Sequence, residues 1–180
     1  RESLKSLLDL GIDPYPACLF KINSSSLKIK NEYEEGNESK VTIAGRIMSK
    51  RIMGKASFAE LQDAKGKIQI YISRDAICEK EDKSMYNTVF KKLLDIGDII
   101  GIKGTVFKTK VGEISVKANK LTVLTKSLRP LPLPKVDADG TTHDAFTDTE
   151  KRYRQRYVDL IVNPEVKNVF TQRTLLTNSM

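Results

Sequence analysis

The stretch KASFAELQDAKGKIQIYIS, residues 55–73, decides the fold of this chain. Successive side chains of a β-strand point to opposite faces, so residues that share a face recur at every second position. Two runs with this period flank the turn-forming residues 64–66, and the pattern predicts a β-hairpin. The apolar face of this hairpin carries Ala59, Leu61, Ile68, Ile70 and Ile72.

The opposite, polar face of the predicted hairpin carries Phe58 and Gln69. An exposed aromatic ring can stack on a nucleic-acid base, which contributes roughly 1–3 kcal/mol per base. Isolated exposed aromatic residues are common, so Phe58 alone is also consistent with a small surface cluster or with cover from another segment. Gln69 favours base recognition, because its amide offers both an acceptor and donors to the edge of a base.

The Gln69 amide can pair with uracil, which presents an N3–H donor between two carbonyl acceptors. The flipped amide fits cytosine about as well, so a second group that only donates is needed to separate the two bases. Arg51 is the candidate, because a guanidinium accepts nothing from the exocyclic amine of cytosine.

The position of Arg51 requires a break in the first strand, VTIAGRIMSKRI, residues 41–52. Strict alternation from Val41, Ile43 and Ile47 would turn Arg51 into the core, where an unpaired guanidinium is untenable. We therefore predict a β-bulge near residues 48–50, after which Ile52 points inward and Arg51 outward.

The order of predicted elements along the chain indicates a small barrel. Three strands are followed by a helix over residues 84–95 and by a second hairpin with its turn at 111–113. A short helix over 2–10 and a polar connector over 21–39 come before the strands. This order predicts a mainly-β, five-stranded OB-fold Greek-key barrel with a helix between strands 3 and 4. An SH3-like or other small barrel is the main alternative, and the interposed helix argues against it.

The chain changes character after this barrel. Three of the six prolines lie just beyond it, and a helix that carries KRYRQRYVDLIV and another that begins at Pro164 come next. We predict an N-terminal helix and connector (1–38), an OB-fold domain (39–128), a Pro-rich linker (129–148) and the truncated start of a further domain (149–180).

The composition argues against several classes of protein. No run approaches the roughly 18 apolar residues of a transmembrane helix, so no membrane partner is expected. His143 is the only histidine and the two cysteines form no CxxC motif, so we expect neither a metal site nor a histidine-based nucleophile. Unpaired thiols and the lack of an export signal predict a cytoplasmic protein. The first residue is not Met, so we expect the chain to be part of a longer protein.

Positive charge is concentrated in the strand-like segments. The net charge is +8; residues 40–74 hold eight basic and two acidic residues, and residues 103–120 hold five lysines with Glu113 as their only acid. These segments are either solvated strand faces or a surface that binds a polyanion. Glu113 is accordingly either a salt-bridge partner or an acceptor for a base N–H group.

Four longer motifs resemble the lysine–tRNA ligase (lysyl-tRNA synthetase) family of the bacterial, class II type. They are GRIMSKRIMGKASFAELQDAKGKIQIYISRD, KTKVGEIS, TKSLRPLP and DTEKRYRQRYVDLI followed by NP. The resemblance implies an anticodon-binding OB-fold domain that binds the anticodon loop of tRNA-Lys and reads its central uracil. In that family an aromatic stacks on the uracil, a glutamine eleven residues later reads its edge and an arginine seven residues earlier assists. These offsets fall on Phe58, Gln69 and Arg51, and Glu113 matches a glutamate near the anticodon.

The resemblance also implies that the full-length enzyme is a homodimer that attaches lysine to tRNA-Lys with ATP and Mg²⁺. Motifs 2 and 3 of class II synthetases, which hold ATP and magnesium, are not found here, so we expect this chain to contain no catalytic residue and to need no cofactor. A free-standing OB module with general single-strand affinity is one alternative, which the two C-terminal helices disfavour. The aspartate or asparagine ligase is another, which the N-terminal helix and LRPLP disfavour.

Overall fold

Strand β1 (Lys40–Met53) is the longest strand of the barrel, and its inward positions are occupied by Val41, Ile43 and Ile47. The computed structural model describes residues 2–36, 38–78, 82–136, 139, 142–143 and 146–180. The chain divides into two compact units, Arg1–Pro130 and Leu131–Met180. The barrel lies in the first unit.

Five strands close into this barrel in the order β1–β2–β3–β5–β4, and β4 pairs back onto β1. The remaining strands are β2 (Ala56–Gln62), β3 (Lys67–Ser73), β4 (Ile99–Lys108) and β5 (Ile114–Thr125). Neighbouring strands are antiparallel except β3 and β5, which run parallel. The predicted five-stranded OB-fold barrel is confirmed.

The interior of the barrel is filled by the apolar positions that alternate along the strands. In the hairpin of β2 and β3, all five residues of the predicted apolar face are at most 2% exposed. Burial of each such Leu or Ile side chain contributes about 1.5–3 kcal/mol. The same alternation leaves Phe58 and Gln69 on the outer surface of the barrel.

Helices flank the strands, including the helix predicted between strands 3 and 4. They are α1 (Glu2–Asp9), α2 (Ser26–Asn31), α3 (Arg74–Ile77) and α4 (Met85–Leu93). Helix α4 is wound in the wide π form. Its Tyr86 and Phe90 rings are fully buried and stack with their centroids 5.9 Å apart, so this helix closes the core.

The predicted polar connector over residues 21–39 contains helix α2, which the sequence pattern missed. Ser25 caps it, and Ser26 donates to the Asp63 carboxylate through its backbone N–H (2.6 Å) and its hydroxyl (2.7 Å). Ile29 is buried against the barrel. The helix is therefore held by contacts distant in sequence, which no local pattern reveals.

A buried group of charges joins the end of β5 to the start of β4. Lys126 is only 4% exposed and donates to Asp95 (2.7 Å) and to Asp98 (2.9 Å). The fully buried Asp98 also accepts the backbone N–H groups of Asp95 and Ser127, each at 2.7 Å. Burial alone would lower the pKa of Lys126, but the hydrogen bonds to Asp95 and Asp98 raise it above its ordinary value.

The described residues of the second unit form two short strands and three helices. They are β6 (Lys135–Val136), β7 (Thr142–His143), α5 (Thr149–Arg154), α6 (Arg156–Val162) and α7 (Pro164–Ser179). The single helix predicted for KRYRQRYVDLIV breaks at Gln155. Asp159 is fully buried and accepts hydrogen bonds from Arg152 (3.0 Å), Arg156 and Asn163 (2.6 Å), which tie the three helices together.

Candidate nucleic-acid interface

The predicted bulge in β1 is confirmed. The pairing register of β1 with β2 shifts between Ile47 and Ser49, so Met48 is the extra residue, and Ile47 and Met48 are buried in succession. Beyond the bulge Arg51 is exposed and lies directly opposite Phe58.

Ile52 lies on the inner face, as predicted, but it is not buried. Ile52 lies opposite the buried Ser57 and so shares its inner face, but Ile52 is 43% exposed. By this point β1 has run past its pairing with β4, which ends at Arg46. No layer of the barrel therefore covers Ile52.

Phe58 belongs to a chain of three aromatic rings on the outer surface. Its ring is tilted by 56° to Tyr71, with centroids 5.3 Å apart, and Tyr71 meets Phe107 edge-on at 6.0 Å. Such tilted and edge-to-face pairs stabilise the orientation of the rings. Alternation along β3 places Tyr71 on the face of Gln69, so this supporting ring could have been found from the sequence.

All four predicted site residues, Arg51, Phe58, Gln69 and Glu113, line one open groove of about 630 Å³. Strand β1 provides Arg51, β2 and β3 provide Phe58 and Gln69, and the turn before β5 provides Glu113. Other lining residues include Lys30, Ser49, Met53, Glu60, Lys67 and Thr109. The groove thus combines an aromatic ring, an amide, a guanidinium and a carboxylate within reach of one small planar ligand.

The amide of Gln69 is hydrogen-bonded to the strand beside it. Its Oε1 atom accepts a hydrogen bond of 3.2 Å from the hydroxyl of Ser115, which lies beside Gln69 in the parallel pairing of β3 with β5. Ser115 is fully buried. No local sequence pattern indicates Ser115, because the pairing of β3 with β5 joins residues distant in sequence.

Glu113 forms an ion pair with Lys30 of α2, with 3.5 Å between Lys30 Nζ and Glu113 Oε1. About half of each side chain is exposed, so the pair contributes little to stability and leaves Glu113 accessible. Helix α2 reaches the groove because Asp63 anchors it. Burial alone would raise the pKa of Asp63, but hydrogen bonds from Ser26, Lys65 and Gly66 lower it below its ordinary value.

Lysines without acidic partners lie on the outer surface of β4 and β5. Within the part of the chain that the structure describes, none of the five lysines between residues 103 and 120 forms an ion pair. Lys103 and Lys120 lie directly opposite each other, and both are exposed. Opposed like charges destabilise a sheet. A polyanion bound to this surface would relieve that repulsion.

Comparison with known proteins identifies relatives of the chain. Residues 41–124, which span the barrel, match the tRNA anti-codon family, described as an OB-fold nucleic acid binding domain. Over its whole length the chain is 58% identical to the lysine–tRNA ligase of Christiangramia forsetii and to that of Porphyromonas gingivalis. The chain is thus similar, over its whole length, to part of these lysine–tRNA ligases. The corresponding protein of Azobacteroides pseudotrichonymphae is 55% identical over the same full span.

The lysine–tRNA ligases that the chain matches are much longer. The chain spans 31% of the Christiangramia protein, 32% of the Porphyromonas protein and 36% of the Azobacteroides protein. It therefore corresponds to about a third of a ligase, and this third contains the OB-fold domain.

Two further features bear on the class of site. Among the residues that the structure describes, no group of three His, Cys, Asp or Glu side chains is arranged to hold a metal ion. None of the described helices combines the length and apolar character that crossing a membrane requires.

Proposed function

We propose that the OB-fold barrel of this chain binds the anticodon loop of tRNA-Lys and reads the uracil at its centre. The main support is the convergence of Arg51, Phe58 and Gln69 on one groove, which depends on the bulge at Met48. The names of the relatives, which are lysine–tRNA ligases, support tRNA-Lys as the ligand.

Each groove residue has a distinct role in this proposal. The Phe58 ring, braced by Tyr71, stacks on the uracil base. Gln69 donates to a uracil carbonyl and accepts the N3–H, and the Arg51 guanidinium donates to a second carbonyl. Glu113 accepts an N–H group from a neighbouring base at the rim of the groove.

The outer lysines contribute affinity rather than sequence selection. Lys103 and Lys120 are exposed, lie opposite each other and form no ion pair among the described residues. Their ammonium groups can therefore bind phosphate oxygens. Contacts of this kind position a nucleic acid but carry no base information. The groove therefore selects the base, and the lysines hold the backbone.

The activity of the whole ligase belongs to the same proposal. A complete, cytoplasmic and homodimeric enzyme would activate lysine with ATP and Mg²⁺ and transfer it to the 3′ end of tRNA-Lys. We assign no ATP or Mg²⁺ ligand to residues of this chain. The role of this chain is to recognise the tRNA. The part that does so is the OB-fold domain with the predicted bounds 39–128, which the Pro-rich linker (129–148) follows.

Binding of the chain to the anticodon stem-loop of tRNA-Lys tests this function. The control is the same stem with a loop of shuffled sequence. We expect the native loop to bind at least tenfold more tightly, a difference of about 1.4 kcal/mol. Equal affinity for the two loops would indicate a general single-strand-binding module instead.

A further inference from the structure

We propose that Ser115 is a positioning residue that holds the Gln69 amide in the orientation that fits uracil and excludes cytosine. This role rests on the proposed recognition of the central uracil, and it adds Ser115 to the residues that determine base preference. Ser115 would not contact the RNA. It would act through the hydrogen bond between its hydroxyl and Gln69 Oε1, which is 3.2 Å long.

The surroundings of Ser115 explain why a hydroxyl at this position must be bonded. Ser115 lies beside Gln69 on β3 and opposite Phe107 on β4, and it is fully buried. A buried hydroxyl without a partner is costly, since no water can replace the missing bond. The Ser115 hydroxyl is thus constrained to use the polar groups beside it, and one of them is the base-reading amide.

The single hydroxyl proton can go to only one of two acceptors. Gln69 Oε1 lies 3.2 Å from Ser115 Oγ, and the backbone carbonyl of Glu113 lies 3.4 Å away. Donation to Gln69 holds Oε1 toward Ser115 and leaves its second lone pair and the whole NH₂ group for a base. With the amide flipped, Nε2–H would donate to Ser115 Oγ, and the hydroxyl would donate to the Glu113 carbonyl across the longer distance. The shorter distance to Gln69 favours the first arrangement.

The orientation of this amide decides which pyrimidine it can read. Uracil needs an acceptor facing N3–H and a donor facing O4. Cytosine needs the reverse, because its N3 accepts and its N4 amine donates. An amide that flips freely would satisfy both bases by exchanging Oε1 and Nε2. One whose Oε1 is held by Ser115 satisfies uracil alone, so Ser115 and Arg51 would exclude cytosine in independent ways.

The test is the ratio of affinities for two anticodon stem-loops of tRNA-Lys that differ only in U or C at the central position. In Ser115→Ala we expect this ratio to fall by about two- to tenfold, the fold-change that corresponds to one neutral hydrogen bond. Ser115→Cys keeps nearly the same volume with a much weaker donor, and we expect the same loss. Retention of the wild-type ratio in both variants would overturn the assignment.

A matched control separates positioning from general loss of stability. Ser57→Ala removes an equally buried hydroxyl that does not line the groove. This hydroxyl forms a hydrogen bond of 2.7 Å with the Tyr86 hydroxyl. This variant should lower the unfolding midpoint without changing the U-to-C ratio. If it changes the ratio as much as Ser115→Ala does, Ser115 has no specific role.

The Gln69→Ala variant tests whether Ser115 affects base preference through the Gln69 amide. In that background, Ser115→Ala should leave the U-to-C ratio unchanged, because the amide that it positions is absent. A further fall would mean that Ser115 acts by another route and would contradict the inference. If the wild-type chain itself shows no preference for uracil, the proposed function fails. If the wild-type and Ser115→Ala chains show the same preference, only the role of Ser115 fails.

Discussion

Arg51 and Phe58 lie directly opposite each other across the pairing of β1 and β2, and Arg51 is three residues beyond the bulge residue Met48. Without the extra residue, the alternation of β1 would turn Arg51 into the core and leave Phe58 facing a different side chain. The bulge therefore lets one strand line the core at Ile47 and present a guanidinium to the outer groove at Arg51.

Replacement of Arg51 should weaken RNA binding and reduce base discrimination together. We expect Arg51→Ala to lose about 1.5–3 kcal/mol, the range for a hydrogen bond to a charged group. Arg51→Lys should restore part of the affinity but little of the U-to-C discrimination, because an ammonium lacks the planar donor fork. Fluorescence anisotropy with labelled stem-loops measures both quantities. Lys55→Ala, an exposed cation that does not line the groove, is the control and should have a smaller effect.

Phe58 should act through its aromatic face. Phe58→Leu is predicted to cost about 1–3 kcal/mol of binding free energy, whereas Phe58→Tyr should bind nearly as well as the wild type. Because Phe58 packs on Tyr71, the unfolding free energy of each variant should be measured in parallel. If Phe58→Leu binds as well as the wild type, the ring is not a stacking platform.

The barrel and much of its groove could be predicted from the sequence, because the relevant signals are local. Alternation in β2 and β3 assigned Phe58 and Gln69 to the outer face. The cost of burying a charge then required a bulge before Arg51, and the structure has it at Met48. The exposure of Ile52 could not be foreseen, because alternation assigns a face but does not show where the layer beneath that face ends.

The parts that could not be predicted depend on contacts between residues distant in sequence. Helix α2 is held by the bonds of Ser26 to Asp63, 37 positions along the chain, and its Lys30 reaches Glu113. The bond from Ser115 to Gln69 spans 46 positions and requires the parallel pairing of β3 with β5. Neither partner carries a sequence signal of this contact.

Salt dependence should reveal whether the lysines on β4 and β5 contact phosphates. We expect Lys103→Ala/Lys120→Ala to reduce the slope of log affinity against log salt concentration by roughly 0.7–0.9 per lysine, with the U-to-C ratio unchanged. Lys5→Ala/Lys92→Ala removes the same charge from exposed positions on α1 and α4. An equal fall in slope for both double variants would mean that net charge, rather than this surface, attracts the RNA.

The buried charges around Lys126 should dominate the stability of the first unit. Lys126→Met leaves Asp98 buried without its cation, and we expect it to cost about 3–5 kcal/mol of unfolding free energy. The folded-state pKa of Lys126 is raised above 10.5, so its contribution is fully present below pH 10.5 and is lost as pH rises through the folded value. In urea unfolding at alkaline pH, the difference in unfolding free energy between the wild type and Lys126→Met should become smaller as the pH rises.

The control for this prediction is Lys120→Met, an exposed lysine on the adjoining strand β5, which should change the unfolding free energy by about 0.5 kcal/mol or less. A similarly small effect of Lys126→Met would show that the cluster does not hold β4 and β5 together.

The most direct measurement for the central claim is the affinity of the chain for two anticodon stem-loops of tRNA-Lys that differ only in U or C at the central position. A reading groove built from Arg51, Phe58 and Gln69 predicts at least tenfold tighter binding to uracil, about 1.4 kcal/mol. It also predicts that Gln69→Ala lowers this difference, with the remainder due to Arg51. Equal affinity of the wild-type chain for the two loops would contradict the claim.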